Sequence, residues 1–180
     1  MKHLFIVVYF LFISLSASAQ DSTRAKVEKL AGPRVGFTFL SKGSSSDFIN
    51  DRDSDDEVQK NAFITQYGYQ WETRFADTNE GVVGLIEWVF LVGGLEKGLF
   101  LPSATSMFGV RTSSGAEIAM GPNLSITGVS YVFAVGKNFQ YGNLNVPINI
   151  SYVPSKNSSW FNDESTGHRI SLTLGFNVSL

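Results

Sequence analysis

Seven charged residues share one parity of a period-two pattern along the chain: Arg34, Glu72, Arg74, Glu87, Arg111, Glu117 and Arg169. Carboxylates gathered on one face could serve acid–base chemistry. Here four arginines stand beside three glutamates. A charge enclosed in a low-dielectric interior must be paired or hydrated. The near balance therefore predicts an internal ion-pair network that plugs a lumen. With a turn centred near Ser114, Arg111 and Glu117 face each other across a hairpin. A narrow gated polar path is the second reading of these charges, and catalytic use of Glu87 or Glu117 is the third.

Other chemistry finds less support. Apart from His3 near the start, His168 is the one histidine, so a Ser–His hydrolase would have to use it. The nearest downstream serine, Ser171, is three residues on. Along a strand that spacing points the two side chains to opposite faces, and the nucleophile–base contact is lost. Asp51, Asp53 and Asp55 stand at the alternation of a calcium loop. However, Asp56 sits where that loop needs glycine, and Ala62 sits where it needs glutamate. A solvated acidic loop is expected over Asp51–Glu57, with a loose divalent-cation site as the lesser reading. Gly93–Gly98 lacks the Gly-Lys-Ser/Thr order of a phosphate loop. No cysteine is present, which excludes thiol catalysis, disulfides and Cys-ligated zinc. No metal and no cofactor are expected.

Composition narrows the class. The 180 residues carry 14 Lys+Arg and 16 Asp+Glu, a formal net charge of −2. No basic excess is available to neutralise phosphates, so nucleic acid is not an expected partner. The hydrophobic share of 43% is too high for disorder, and the length suits one domain. Lys2 and His3 precede an apolar run from Leu4 to Leu15, and Ala17-Ser18-Ala19 has the small-x-small form of a cleavage site. Residues 1–19 thus read as a cleavable export signal, too short to span a bilayer. Residues 20–33 read as a polar periplasmic lead-in, and 34–180 as the folded domain.

Past Pro33 the apolar residues alternate, the mark of strands. One parity carries Val35, Phe37 and Phe39 in 34–41, and Phe63, Tyr67, Tyr69, Trp71 and Phe75 in 62–75. It carries Ile86, Trp88, Phe90 and Val92 in 82–92, then more weakly Phe108 and Val110 in 104–112. Ile118, Met120 and Leu124 follow in 115–124, and Val129, Tyr131, Phe133 and Val135 in 129–138. The series closes with Leu144 to Tyr152 in 144–153 and Ile170 to Leu180 in 168–180. These are eight segments, each long enough for a tilted membrane crossing of roughly 9–11 residues. Connections at 42–61, 93–103 and 154–167 are long. Those at 76–81, 113–114 and 139–143 are short, and the one near 123–128 is intermediate. This alternation organises up-and-down membrane barrels.

Period two alone does not say which face is enclosed. A soluble barrel hides its apolar face, whereas a membrane barrel hides its polar one. The polar parity holds small or neutral groups such as Gln66, Gln70, Gly121, Asn149 and Thr173. Beyond residue 19, all lysines but Lys137 fall outside the expected strands, and Lys137 sits at a strand end. A face exposed to water would carry lysine and glutamate, so the polar face is assigned to the lumen and the aromatic face to lipid. Two features sit less easily. Leu99–Pro102 is too apolar for a free loop and is expected on the barrel rim or in a strand. Pro147 lies inside a strand where it cannot donate to the ladder, which calls for a bulge or a shifted boundary.

The chain end adds a motif. Thr173-x-Gly175-x-x-Val178-x-Leu180 resembles the C-terminal assembly signal of small Gram-negative outer-membrane β-barrels of the OmpA/OmpX-like eight-stranded type, with Leu180 where those proteins usually end in an aromatic residue. The resemblance spans about residues 34–180. It implies an all-β, eight-stranded antiparallel up-and-down transmembrane barrel, located in the outer membrane. The implied partners are outer-membrane lipid and the barrel-assembly machinery, with an extracellular partner of unknown chemistry. The expected role is structural support or surface interaction through the connections at 42–61 and 154–167, the latter offering Trp160, Phe161, Asp163 and Glu164, without catalysis. The alternatives are a conduit for small solutes or apolar ligands, and a soluble periplasmic lipocalin-like ligand-binding barrel. Trp71, Trp88, Phe133 and Phe176 decide between the membrane and soluble readings by pointing out or in.

Overall fold

The computed structural model describes residues 29–50, 60–78, 81–142, 144–158 and 164–179. The export signal, the acidic run at 51–57 and Trp160, Phe161, Asp163 and Leu180 lie outside the described residues. The strands are β1 (Lys29–Leu40), β2 (Ala62–Asp77), β3 (Val82–Gly93), β4 (Leu101–Thr112), β5 (Ala116–Ser125), β6 (Gly128–Tyr141), β7 (Leu144–Val153), a small outlying pair β8 (Asn157–Ser158) and β9 (Glu164–Ser165), then β10 (Arg169–Gly175) and β11 (Asn177–Ser179). Each barrel strand pairs antiparallel with the next, and β1 pairs with both β2 and β10, so the sheet closes on itself. β10 and β11 continue one another between β1 and β7, which makes a ring of eight staves.

Tight connections sit at one end, between β2 and β3, at 113–115 and between β6 and β7. The opposite end carries the described residues 41–50, 60–61, 94–100, 154–158 and 164–168, together with a two-residue turn at 126–127 that is shorter than the intermediate connection expected there. Within the first of these, α1 (Ser44–Asn50) folds over the mouth. Its Ile49 is buried with Leu40, Ala62, Ile64 and Leu99. The Ser46 hydroxyl accepts from the Gly43 amide and donates to the Gly43 carbonyl, which ties off the start of the helix. Leu99 is therefore rim packing, and Leu101 and Pro102 extend β4, while Phe100 faces outward.

Two boundaries differ from the sequence reading. β1 begins at Lys29, five residues before the expected start, so one lysine does lie within a strand. The alternation is interrupted at Gly32-Pro33, which hid the continuation. Pro147 sits in an unbroken β6–β7 register opposite Asn138, with no bulge in that pair. The irregularity lies in its other neighbour. β7 pairs with β10 as far as Leu174↔Ile148 and resumes with β11 at Asn177↔Asn145. Pro147 thus falls beside the break at Phe176, where no ladder partner asks for its missing N–H. Pro33 flanks the same break from β1, and its carbonyl accepts the Phe176 amide at 3.4 Å.

Glu96 fastens the outer rim. Past Gly93 the strand β3 no longer serves β2, and the Glu96 carboxylate accepts the Thr65 N–H at 2.7 Å and the Thr65 hydroxyl. Partial burial favours the neutral acid, but the two bonds from Thr65 and the charge of Lys97 outweigh it and hold this carboxyl below its usual range. A depressed folded-state pKa contributes stability above the unfolded value and loses it as pH falls through the folded one. Amide exchange at Thr65 is therefore expected to be slow at neutral pH and to speed up below about pH 4, beyond the intrinsic pH trend. In Glu96→Gln the extra acid sensitivity should vanish. An unchanged profile in that variant would remove the assignment.

Candidate functional site

The inner face gathers charges from five strands near the tight-turn end. Arg34 comes from β1, Glu72 and Gln70 from β2, Glu87 from β3, Arg111 from β4 and Glu117 from β5, and all are buried. Registry explains the meeting, because Glu72 stands opposite Glu87 and Arg111 opposite Glu117. Arg111 forks between two carboxylates. Its Nη1 and Nη2 donate to Glu72 Oε1 and Oε2 at 2.6 and 2.5 Å, and its Nε and Nη2 donate to Glu117 Oε2 at 2.8 and 2.6 Å. Planar bidentate geometry of this kind is what a guanidinium offers a carboxylate.

A second chain of bonds runs beside the first. Arg34 Nε donates to Gln70 Oε1 at 2.9 Å, and Gln70 Nε2 donates to Glu87 Oε1 at 2.7 Å. Arg34 Nη1 reaches Asn177 Oδ1 at 2.6 Å and the Pro33 carbonyl at 2.9 Å. Glu87 Oε2 and Arg34 Nη2 are buried without a hydrogen-bond partner among the described residues. A water held between polar walls suits such atoms. Carboxylate oxygens of Glu72, Glu87 and Glu117 lie within 4.8 Å of one another, a spacing that suits a cation. The cation already there is the Arg111 guanidinium.

Two of the seven residues stand apart. Arg74 is half-buried at the end of β2, where the register shifts before Ala76. Arg169 lies at the opposite, outer end and donates to Asn123 Oδ1 at 3.0 Å. In the C-terminal motif, Gly175 leaves room for the Arg34 side chain: a Cβ there would stand 2.1 Å from Arg34 Nη1. Thr173 pairs with Asn149 and Gly36, and Val178 pairs with Ala31 and Leu144. His168 is exposed, with its Nδ1 2.8 Å from the Tyr152 hydroxyl, whereas Ser171 Oγ meets Thr38 Oγ1 in the lumen at 2.6 Å. The two sit on opposite faces of the wall.

Sequence reasoning missed three contributors. Gln70 and Asn177 were legible only as neutral lumen residues, although they link the cluster. The middle of the lumen is apolar, with Val89, Met107, Val132 and Val153 buried together against Leu91. In β3 both parities are apolar, so alternation could not mark Leu85, Val89 and Leu91 as inward.

The outer face is the reverse of this interior. Trp71, Trp88, Phe133 and Phe176 expose 46, 50, 46 and 44% of their surface, and most other aromatics of the strands stand beside them. A closed ladder leaves no unpaired edge, and an apolar exterior around a charged interior is stable only in lipid. The chain is a membrane-spanning β-barrel. The soluble lipocalin-like alternative is overturned by those four outward side chains. No helix among the described residues is long and apolar enough to cross a membrane. The crossing is made by strands. Lys137 faces outward on β6, near the tight-turn end opposite Ala116, with its ammonium 5.5 Å from the Phe139 ring.

No protein-family profile matches the chain, and no curated protein does. Among solved structures, two of Ail, the attachment invasion locus protein of Yersinia pestis, are similar. The one in complex with the heparin analogue sucrose octasulfate has 14% identity and a TM-score of 0.26, and the other has 13% and 0.27. Each comparison covers 85% of this chain and 99% of the Ail chain. At such values the fold is read from the closed strand ladder itself.

The lipid assignment predicts a depth-dependent penalty. Phe133 pairs with Met120 in the middle of the β5–β6 ladder. Phe133→Arg should cost about 2–4 kcal/mol, and Phe75→Arg near the rim about 0–1 kcal/mol. Urea unfolding in lipid vesicles measures both. Equal costs would argue against a bilayer midplane at Phe133.

Proposed function

We propose that this barrel is a non-conducting scaffold that presents its outer connections at the cell surface for contact, and that it catalyses nothing. The observation that carries this is the Arg111 bridge to Glu72 and Glu117, which spans three strands across a lumen that eight staves leave barely wide enough for side chains. The gated polar path loses its support where those side chains meet. The asymmetry of the ends agrees with the proposal, because α1 and the long connections crown one mouth while tight turns close the other. In this proposal residues 1–19 are the export signal, residues 20–28 are the periplasmic lead-in, and the barrel-assembly machinery reads the stretch from Thr173 to Leu180.

Two measurements test it together. The purified barrel in planar bilayers should give no conductance steps. Cells displaying the barrel with 154–168 replaced by a two-residue turn should keep the wild-type surface level but lose adhesion to a panel of coated surfaces. Steady conductance steps would replace the scaffold with a channel. Adhesion that survives loop replacement, or that neither form shows, would remove the contact role.

A further inference from the structure

Above the apolar band of the lumen, at the mouth covered by α1, lies a cavity of about 90 Å³. One buried water needs roughly 10–15 Å³ by a comparable measure, so the space exceeds a single hydration site. Its walls mix aliphatic side chains such as Leu40, Ile64, Leu91 and Val132 with polar ones such as Gln66 and Ser151. Hydroxyls mark its inner side, where Thr38 meets Ser171 and Asn123 Nδ2 donates to Thr105 at 2.7 Å. Arg169 is the one charged side chain among the described lining residues. Its guanidinium bonds a neutral amide, Asn123 Oδ1, and no carboxylate pairs with it among the described residues. The charge cluster seals the space below, and the closed ladder offers no opening through the wall. The cavity is a chamber at the outer-mouth end of the lumen.

We infer that this chamber binds a short aliphatic carboxylate, with the chain against the apolar walls and the carboxylate on Arg169. Apolar pockets with a few placed polar groups are the usual form of small-molecule sites. A half-buried cation without an acidic partner suits one negative charge, and a guanidinium binds a carboxylate through paired bonds. The small volume favours a short chain over a lipid tail, and the intact wall excludes entry from the bilayer. This goes beyond the scaffold proposal and stands or falls separately from it, because neither conductance nor adhesion enters its test.

The experiment titrates sodium butyrate, and in parallel 1-butanol, into methyl-labelled barrel in lipid nanodiscs, followed by methyl NMR. Butyrate should give saturable shifts at the inward methyls of Ile49, Ile64, Leu91 and Val132. The lipid-facing Ile118 and Ile150 should at most drift linearly with either compound as it enters the bilayer. Butyrate should bind roughly tenfold or more tighter than butanol, the worth of a charge-assisted hydrogen bond. Arg169→Gln should abolish that difference while leaving butanol unchanged, and heat-dependent gel mobility checks that the variant is folded. The comparison on the wild-type barrel needs no variant. Shifts confined to the outward methyls, or equal binding of the two compounds to the wild type, would overturn the inference.

Discussion

Glu72→Ala is expected to destabilise the barrel by about 3–5 kcal/mol, the range for removing one partner of a buried ion pair. Glu72 is almost wholly buried and takes two bonds from Arg111. Its loss leaves half of that guanidinium without a partner between strands, where water is scarce. Glu72→Gln retains an acceptor and a similar shape, so it should cost less than the alanine variant. Urea unfolding in vesicles followed by tryptophan emission gives both values, since Trp71 and Trp88 lie on the outer wall beside this site. A cost below about 1 kcal/mol, typical of exposed pairs, would mean that the cluster is hydrated and does not plug the lumen. The same loss should unpin Arg111 from β2 and leave it held to Glu117 on its own hairpin.

Gly68→Ala is expected to be as damaging, although it adds a single methyl group. A Cβ at position 68 would lie 1.8 Å from the carbonyl oxygen of Phe90 on β3. That atom is backbone within a paired strand, so relief requires moving the ladder itself. Overpacking costs typically 1–3 kcal/mol where side chains can yield. Here about 3 kcal/mol or more is expected, with loss of the heat-dependent gel shift in part of the refolded material. Gly142→Ala is the control. It also replaces a glycine, at a φ of 60°, but nothing lies within 4 Å of its added methyl. It should cost only the strain of left-handed backbone, about 1–2 kcal/mol. If the two variants were equal, close strand approach at Gly68 would not be the cause.

Gly68 also shows where sequence reading ran out. Its place on the polar parity was evident, but its need to be glycine was not. That need comes from the close approach of the Phe90 carbonyl on β3, which exists only once the two strands are paired in the closed barrel. Pro33 and Pro147 teach the same point. Pro33 read as the boundary before the first strand and Pro147 as a defect inside a later one, and together they flank one break at Phe176 that both neighbours share. The helix α1 was hidden inside a connection read as loop, because seven residues are too few to display a period.

Local alternation determined the strands, their two faces and the Arg111–Glu117 pair. A strand's side chains must alternate, and a tight turn fixes which residues face across it. The outward and inward assignment was also legible, since lysines fall mostly outside the strands or near their ends and most strand aromatics keep one parity. Only the closed ring decided the rest. Glu72, Glu87, Arg34 and Asn177 come from positions up to 143 residues apart, and their meeting depends on the registers of β1, β2, β3 and β11 around a circle. The stranded cation at the outer mouth is likewise a product of closure. Arg169 shares its parity with the clustered charges, but strand position places it at the other end of the lumen, where no described acid reaches it.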